Sequence, residues 1–161
     1  MLMFALIASV FAQCPLKKQL PSKVTQIKYA DLPVLLEQSK GCVTLFEIWA
    51  SWCGPCKSLK PRITALLKKH PDVLFLNISV DKQKSKLQSY LQQNRYSSVG
   101  RYLLLDGKGA ELYKVLPSNM PFRSSIPFVV LLDQKGEVLA SATSVLDVER
   151  LGQALDKLKQ K

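Results

Sequence analysis

The stretch Trp49-Ala50-Ser51-Trp52-Cys53-Gly54-Pro55-Cys56-Lys57, WASWCGPCK, decides how the rest of the chain is read. It follows Cys42-Val43-Thr44-Leu45-Phe46-Glu47-Ile48-Trp49, a run rich in branched and aromatic residues that predicts a buried central strand. After it, Leu59, Ile63, Leu66 and Leu67 recur at helical spacing up to His70-Pro71, so an amphipathic helix follows, with Pro61 expected to kink it. The cysteines therefore sit where a strand turns into a helix. There, unpaired N–H groups and the helix dipole favour an anion, and a thiolate is the nucleophilic form of cysteine. Cys53, at the helix start, is expected to be half exposed and to attack; Cys56, one turn in and facing the core, is expected to resolve. Gly54 removes bulk beside the attacking sulfur, and Pro55 presets φ in the first turn without wasting a donor.

Two other readings of the pair carry less weight. A structural bridge closing so short a loop gains little chain entropy. A zinc site normally needs a second CxxC or a Cys/His pair, and His70 is the only histidine. No metal and no cofactor is expected.

Working outward, Val24 to Lys28 predicts a short strand. A helix capped by Asp31, with Pro33 in its first turn, should stop at Lys40-Gly41. Val73 to Val80 reads as a strand, Ser85 to Asn94 as a helix, and Tyr102 to Leu105 as a strand closed by Asp106-Gly107. Ala110 to Leu116 is open between helix and strand. In PFVVLLDQKGEVLA, Asp133 to Gly136 is turn chemistry joining two strands as a hairpin. A last helix, Val145 to Lys159, is capped at Ser144 or Asp147 and carries Leu151, Leu155 and Leu158 on one face. The alternation predicts an α/β sandwich with a central mixed sheet flanked by helices.

The 161 residues suit one domain, 24–161, behind an entry segment, 13–23. Residues 1–12, MLMFALIASVFA, are uncharged and end in Val10-Phe11-Ala12, the pattern of an export signal cleaved before Gln13. They are too few to span a bilayer, which takes about 20 apolar residues. Retention as a short membrane tether is the alternative. Acylation of Cys14 is a third option and ranks below simple cleavage, because Gln13 is bulky and polar. In an oxidising compartment Cys14 and Cys42 either bridge or stay apart. The formal net charge of +11 is spread over helical faces at Lys57, Lys60, Arg62, Lys68, Lys69, Lys82, Lys84 and Lys86, which reads as solvated surface. No base-stacking aromatics flank these charges, so nucleic acid is not an expected partner.

WCGPCK, with Pro61 five residues after Cys56, Glu47 six before Cys53 and SIPFVV downstream, resembles the thioredoxin family from about Val24 to the end. The long spacing from Cys53 to Pro127 resembles the exported thioredoxin-like reductases, including those of cytochrome c maturation, whose fold carries a helix-plus-strand insert in the middle. That resemblance implies a helix over Ala110 to Leu116 and a cis bond at Ile126-Pro127. It implies that Glu47 is a buried acid beneath the resolving cysteine, with a raised pKa, taking its proton. It also implies that Trp52 shields the pair and packs against substrate, alongside Gly54, Pro55, Ile126 and Pro127. The implied activity is thiol–disulfide exchange by a monomer outside the cytoplasm, in the bacterial periplasm or on the outer face of the membrane. A client disulfide would be reduced and a membrane donor would restore the pair. Residues 117 to 125 and Phe128 depart from the family pattern, at the surface where clients would dock. A disulfide-forming or isomerising enzyme, or a client-binding module without turnover, are the alternative functions.

Overall fold

The computed structural model describes residues 14–96, 100–106 and 109–160. The predicted signal, residues 1–12, and Gly107 of the Asp106-Gly107 turn lie outside them. The described residues form α1 (Pro15–Gln19), β1 (Thr25–Lys28), α2 (Asp31–Gln38), β2 (Thr44–Trp49), α3 (Gly54–Lys69) and β3 (Leu74–Ser79). There follow α4 (Lys84–Gln93), β4 (Arg101–Asp106), a 3-10 turn (Gly109–Lys114), β5 (Phe128–Leu132), β6 (Val138–Ala142) and α5 (Val148–Lys159). The strands make one six-stranded sheet in the order β1-β4-β3-β2-β5-β6. β1, β4, β3 and β2 run parallel, while β5 and β6 run antiparallel to their neighbours. The sheet is mixed, as expected, and α4 with β4 is the helix-plus-strand unit between β3 and the strand that follows Pro127.

Every residue of β2, β3 and β5 is buried, the signature of strands covered on both faces. Alternation sends Leu45 and Trp49 of β2 into one core with Leu59, Ile63 and Leu67 of α3, Leu104 of β4 and Leu151 of α5. It sends Phe46 and Ile48 into a second core with Leu16 of α1, Leu32 and Leu36 of α2, and Leu112 and Met120 from the long connection. Phe122 from the same connection meets Phe128 edge to face at 5.1 Å between ring centres. The stretch 117–125, the departure noted above, is thus anchored by aromatic packing.

Local chemistry accounts for the boundaries. Gly41, at φ +88°, ends the α2 segment in a backbone conformation that other residues adopt only under strain. Asp31 does not cap α2 but is its first residue, with the carboxylate accepting from the Lys28 N–H at 2.8 Å. The hairpin turn is held by Asp133, whose Oδ1 accepts from the N–H groups of Lys135 at 2.8 Å and Glu137 at 2.9 Å. Both candidate caps of the last helix are used: Ser144 and Asp147 form a capping box around a 3-10 turn, Val145–Asp147, that leads into α5. The Ala110 to Leu116 stretch is helical over Gly109–Lys114, but with the tighter 3-10 winding.

Cys14 and Cys42 are bonded to each other, which closes the open question about them. The bridge ties α1 to the start of β2 and holds Leu16 and Leu20 on the second core. On the chain-entropy account, cross-linking a separation of 28 residues restricts the unfolded chain by about 3–4 kcal/mol. Cys42→Ser is therefore expected to lower unfolding stability by about that amount, read from denaturant unfolding as a lower midpoint, with a slope that rises as the released unfolded chain expands. An unchanged midpoint would mean that the bridge constrains nothing.

Candidate active site

The redox-type pair sits at the junction of β2 and α3. Cys53 is the N-cap of α3, with extended backbone, and its sulfur accepts from the Cys56 N–H at 3.2 Å. The helix start therefore points a backbone donor at this sulfur. Pro55 lies in the first turn and Cys56 one turn in. The two sulfurs are bonded to each other. Cys53 is less exposed than the expected half: it retains 5% of its surface, and Cys56 none. The correction follows from the fold. Cys53 closes the turn against the first core instead of standing at a free helix end, and Ala50 and Trp49 pack beside it. The order of access, Cys53 outside and Cys56 inside, is as expected.

Trp52 is the opposite case, 65% exposed at the lip of the turn. The peptide bond Ile126-Pro127 is cis. Phe128, the next residue, is in register with Ile48 of β2, so Pro127 lies at the end of the sheet where the cysteine turn emerges. The structure thus places Trp52, Cys53, Gly54, Pro55, Cys56, Ile126 and Pro127 at one edge of the molecule. The turn itself is fastened by Asp81, just beyond β3. Its Oδ2 accepts from the Ser51 N–H at 2.8 Å and from the Ser79 hydroxyl at 2.6 Å, and its Oδ1 accepts from the Ser51 hydroxyl at 2.6 Å. Sequence reasoning passed over Asp81 and Ser51, which carry no motif of their own.

Beneath the turn lies a closed set of four buried side chains. Glu47 has no exposed surface. Lys60 Nζ donates to Glu47 Oε2 at 2.5 Å, and Asn77 Nδ2 donates to the same oxygen. Trp49 Nε1 donates to Asn77 Oδ1 at 2.6 Å, and Lys60 Nζ stands 3.7 Å from the centre of the Trp49 indole, closing the circuit by a cation–π contact. Lys60 is therefore not part of a solvated basic face: it is 2% exposed, whereas Lys57, Arg62, Lys68, Lys69, Lys82, Lys84 and Lys86 are exposed. The reason is helical register. Position 60 is four residues after Cys56 and three before Ile63, on the inward stripe, and a buried carboxylate waits there. Burial drives the Lys60 pKa down to about 8, against the opposing pull of Glu47. The other oxygen, Glu47 Oε1, has no partner among the described residues.

His70 ends α3, as the sequence suggested, but is buried. Its Nε2 is 3.6 Å from Asp156 Oδ1, and desolvation lowers its pKa. Among the described residues no cluster of three or more His, Cys, Asp or Glu side chains is arranged to hold a metal ion. No helix among them is long and apolar enough to cross a membrane.

The thioredoxin family model matches residues 23–92, which include β1, the cysteine turn and the whole Glu47–Lys60–Asn77 circuit. Thioredoxin-1 of Saccharomyces cerevisiae is 33% identical over 97 residues, spanning 60% of this chain and 87% of the yeast protein. The chain belongs to the thioredoxin family. Thioredoxin-1 of Caenorhabditis elegans is 30% identical over 67 residues, which cover 40% of this chain and only 58% of the nematode protein. Among solved structures, a secreted Mycobacterium tuberculosis disulfide oxidoreductase superposes with a TM-score of 0.55 at 17% identity, covering 73% of this chain and 83% of the other. That likeness is one of fold. Cys53 and Cys56 form a redox-type cysteine pair at a helix N-terminus, an environment that lowers the pKa of a thiol.

Proposed function

We propose that the protein reduces disulfides of client proteins outside the cytoplasm, with Cys53 as nucleophile and Cys56 as resolving thiol. The observation that carries the reading is the Cys53 sulfur, capping α3 and receiving the Cys56 N–H, at an edge shared with the cis Ile126-Pro127 bond. In the reduced protein the same donor and the helix dipole stabilise a Cys53 thiolate. The thiolate attacks one sulfur of the client disulfide. A mixed disulfide forms, and the other client sulfur leaves as a thiolate that takes a proton. Cys56 then attacks the Cys53 sulfur, the client's second sulfur leaves, and the Cys53–Cys56 bond of the present structure is regenerated. Two electrons pass to the client, so a second dithiol, held by a membrane donor, must reduce the pair again.

Cys56 must lose its proton to attack. Glu47 is suited to take it, since Oε1 is buried with no partner among the described residues and Lys60, one turn along α3 from Cys56, holds the other oxygen. Trp52, Gly54 and Pro55 would meet an extended client segment, and the backbone beside Ile126 and Pro127 would pair with it. The Gly-Pro spacer favours the reducing direction. Thioredoxin, with such a pair, has a potential near −270 mV, against about −120 mV for the strong oxidant DsbA. The Cys14–Cys42 bridge supports export, because a disulfide serving only structure persists in oxidising compartments. Clients of the cytochrome c maturation type fit this setting.

The experiment is trapping. Cys56→Ser is expected to accumulate clients as mixed disulfides on Cys53, released by dithiothreitol, while wild type accumulates few. Clients held as their reduced partners would set the direction as proposed. If Cys56→Ser trapped no more than wild type, exchange through this pair would be wrong. A measured potential close to the strong oxidants would overturn the reducing direction alone.

A further inference from the structure

Beside the cysteine turn lies a groove to which the exchange chemistry assigns no role. Trp52 forms one wall, and Val80, Asp81, Lys82, Gln83 and Lys86 complete it, from just beyond β3 to the first turn of α4. The groove is continuous with the redox edge, since Trp52 directly precedes Cys53. Its single acid is turned inward: Asp81 is buried, and its two oxygens accept from Ser51 and Ser79. What remains accessible is the indole of Trp52 and the side chains of Lys82 and Lys86, all exposed. Among the described residues neither lysine has a hydrogen-bond or ion-pair partner.

The placement of these charges is not that of a surface made only for solubility, which intersperses both signs. α5 does so, with Glu149 and Asp156 among Arg150, Lys157 and Lys159. α3 and α4 contain no acidic residue at all. In the first turn of α4 the helix dipole disfavours cations, yet Lys84 and Lys86 stand there. The charges at the groove therefore cost the helix stability, and an anionic partner would relieve them. Whatever lies against Trp52 is next to the attacking sulfur, so that partner is part of the client itself.

We propose that this groove selects clients with acidic residues flanking the disulfide that Cys53 attacks. An extended segment lies against Trp52, with its carboxylates on Lys82 and Lys86. The proposal rests on the exchange reading above and names the substrate class of that site. Exposed charges at the rim of an interface act on the rate of encounter and are screened by salt, so the preference is a kinetic one.

The test uses the full chain, reduced with dithiothreitol and freed of it, in single turnover. Its two thiols pass two electrons to a peptide disulfide and close as the Cys53–Cys56 bond. Two peptides, each with one internal disulfide, differ only in having glutamates or lysines beside it. Each rate is divided by the same peptide's rate with free dithiothreitol, which removes the flank's own effect on the disulfide. At about 10 mM salt the glutamate peptide is expected to react about tenfold faster or more. Near 1 M, where the screening length is about 3 Å, the preference should shrink to about twofold or less. Lys82→Glu with Lys86→Glu, at exposed positions where folding is not at issue, should reverse the preference. Lys68→Glu with Lys69→Glu changes the net charge equally but lies at the end of α3, roughly 20 Å from the turn, and should keep it. Equal rates for the two peptides, a preference that the groove variant keeps, or one that the distant variant loses as fully would overturn the proposal and leave exchange standing. Reduction of neither peptide would overturn both. Equal rates together with binding to phosphatidylglycerol vesicles that the groove variant loses would assign the lysines to a membrane surface, against the proposal.

Discussion

Replacing Cys53 by serine is expected to abolish turnover, lowering disulfide reduction by at least about a thousandfold, on the scale of losses seen when an enzyme's nucleophile is removed. The oxygen is nearly isosteric with the sulfur, so the helix cap and the Cys56 N–H contact have a replacement acceptor. What is lost is chemical. A serine hydroxyl does not ionise near neutral pH, and it cannot form the mixed disulfide through which electrons pass. The bond to Cys56 is lost too, but it closes a separation of only three residues, so the fold should survive. Insulin reduction by wild type and the variant is the measurement. The result also separates the proposal from a client-binding module, because a module that works without turnover would keep its biological activity in Cys53→Ser. Activity within tenfold of wild type would sink the exchange mechanism.

The second large effect is on stability. Lys60→Met removes the cation from a site where Glu47 is fully buried. Breaking one partner of a buried pair typically costs about 3–5 kcal/mol, because the remaining charge is stranded without solvent. For a chain of this size that corresponds to a fall of the order of 10 °C in Tm. The double variant Glu47→Gln, Lys60→Met should recover most of the loss, since a neutral amide in place of the carboxylate keeps the contact with Asn77 and needs no cation.

Denaturant titrations of wild type, Lys60→Met and the double variant at pH 7 decide the matter. A Lys60→Met protein as stable as wild type would show that the ammonium does not sit where the structure places it.

The comparison of sequence with structure turns on particular residues. The cysteine turn, the covered strand before it and the Asp133 to Gly136 hairpin were readable because each has a local cause: side-chain alternation, helix-start chemistry or a turn that needs Gly136 at φ +87°. Glu47 was legible only through the family resemblance, because alternation alone places it opposite Phe46 and Ile48 without saying whether its own face is covered. Lys60 was misread although its register was available: Cys56, Lys60, Ile63 and Leu67 form one inward stripe, and residue type was allowed to outweigh spacing. The Cys14–Cys42 bond and the Asp81 clasp on Ser51 depend on long-range approach of chain segments, which no local pattern encodes.

The strand order has a thermodynamic corollary. β2 has partners along both edges, β3 on one side and β5 on the other, whereas among the described residues β1 and β6 each leave one edge unpaired. Peripheral strands can fray without disturbing the middle, but releasing β2 means giving up two ladders and both cores at once. The sulfur pair is thus grafted onto the segment whose detachment is equivalent to global melting. Wear at the margins of the molecule leaves its Cys53–Cys56 bond in register.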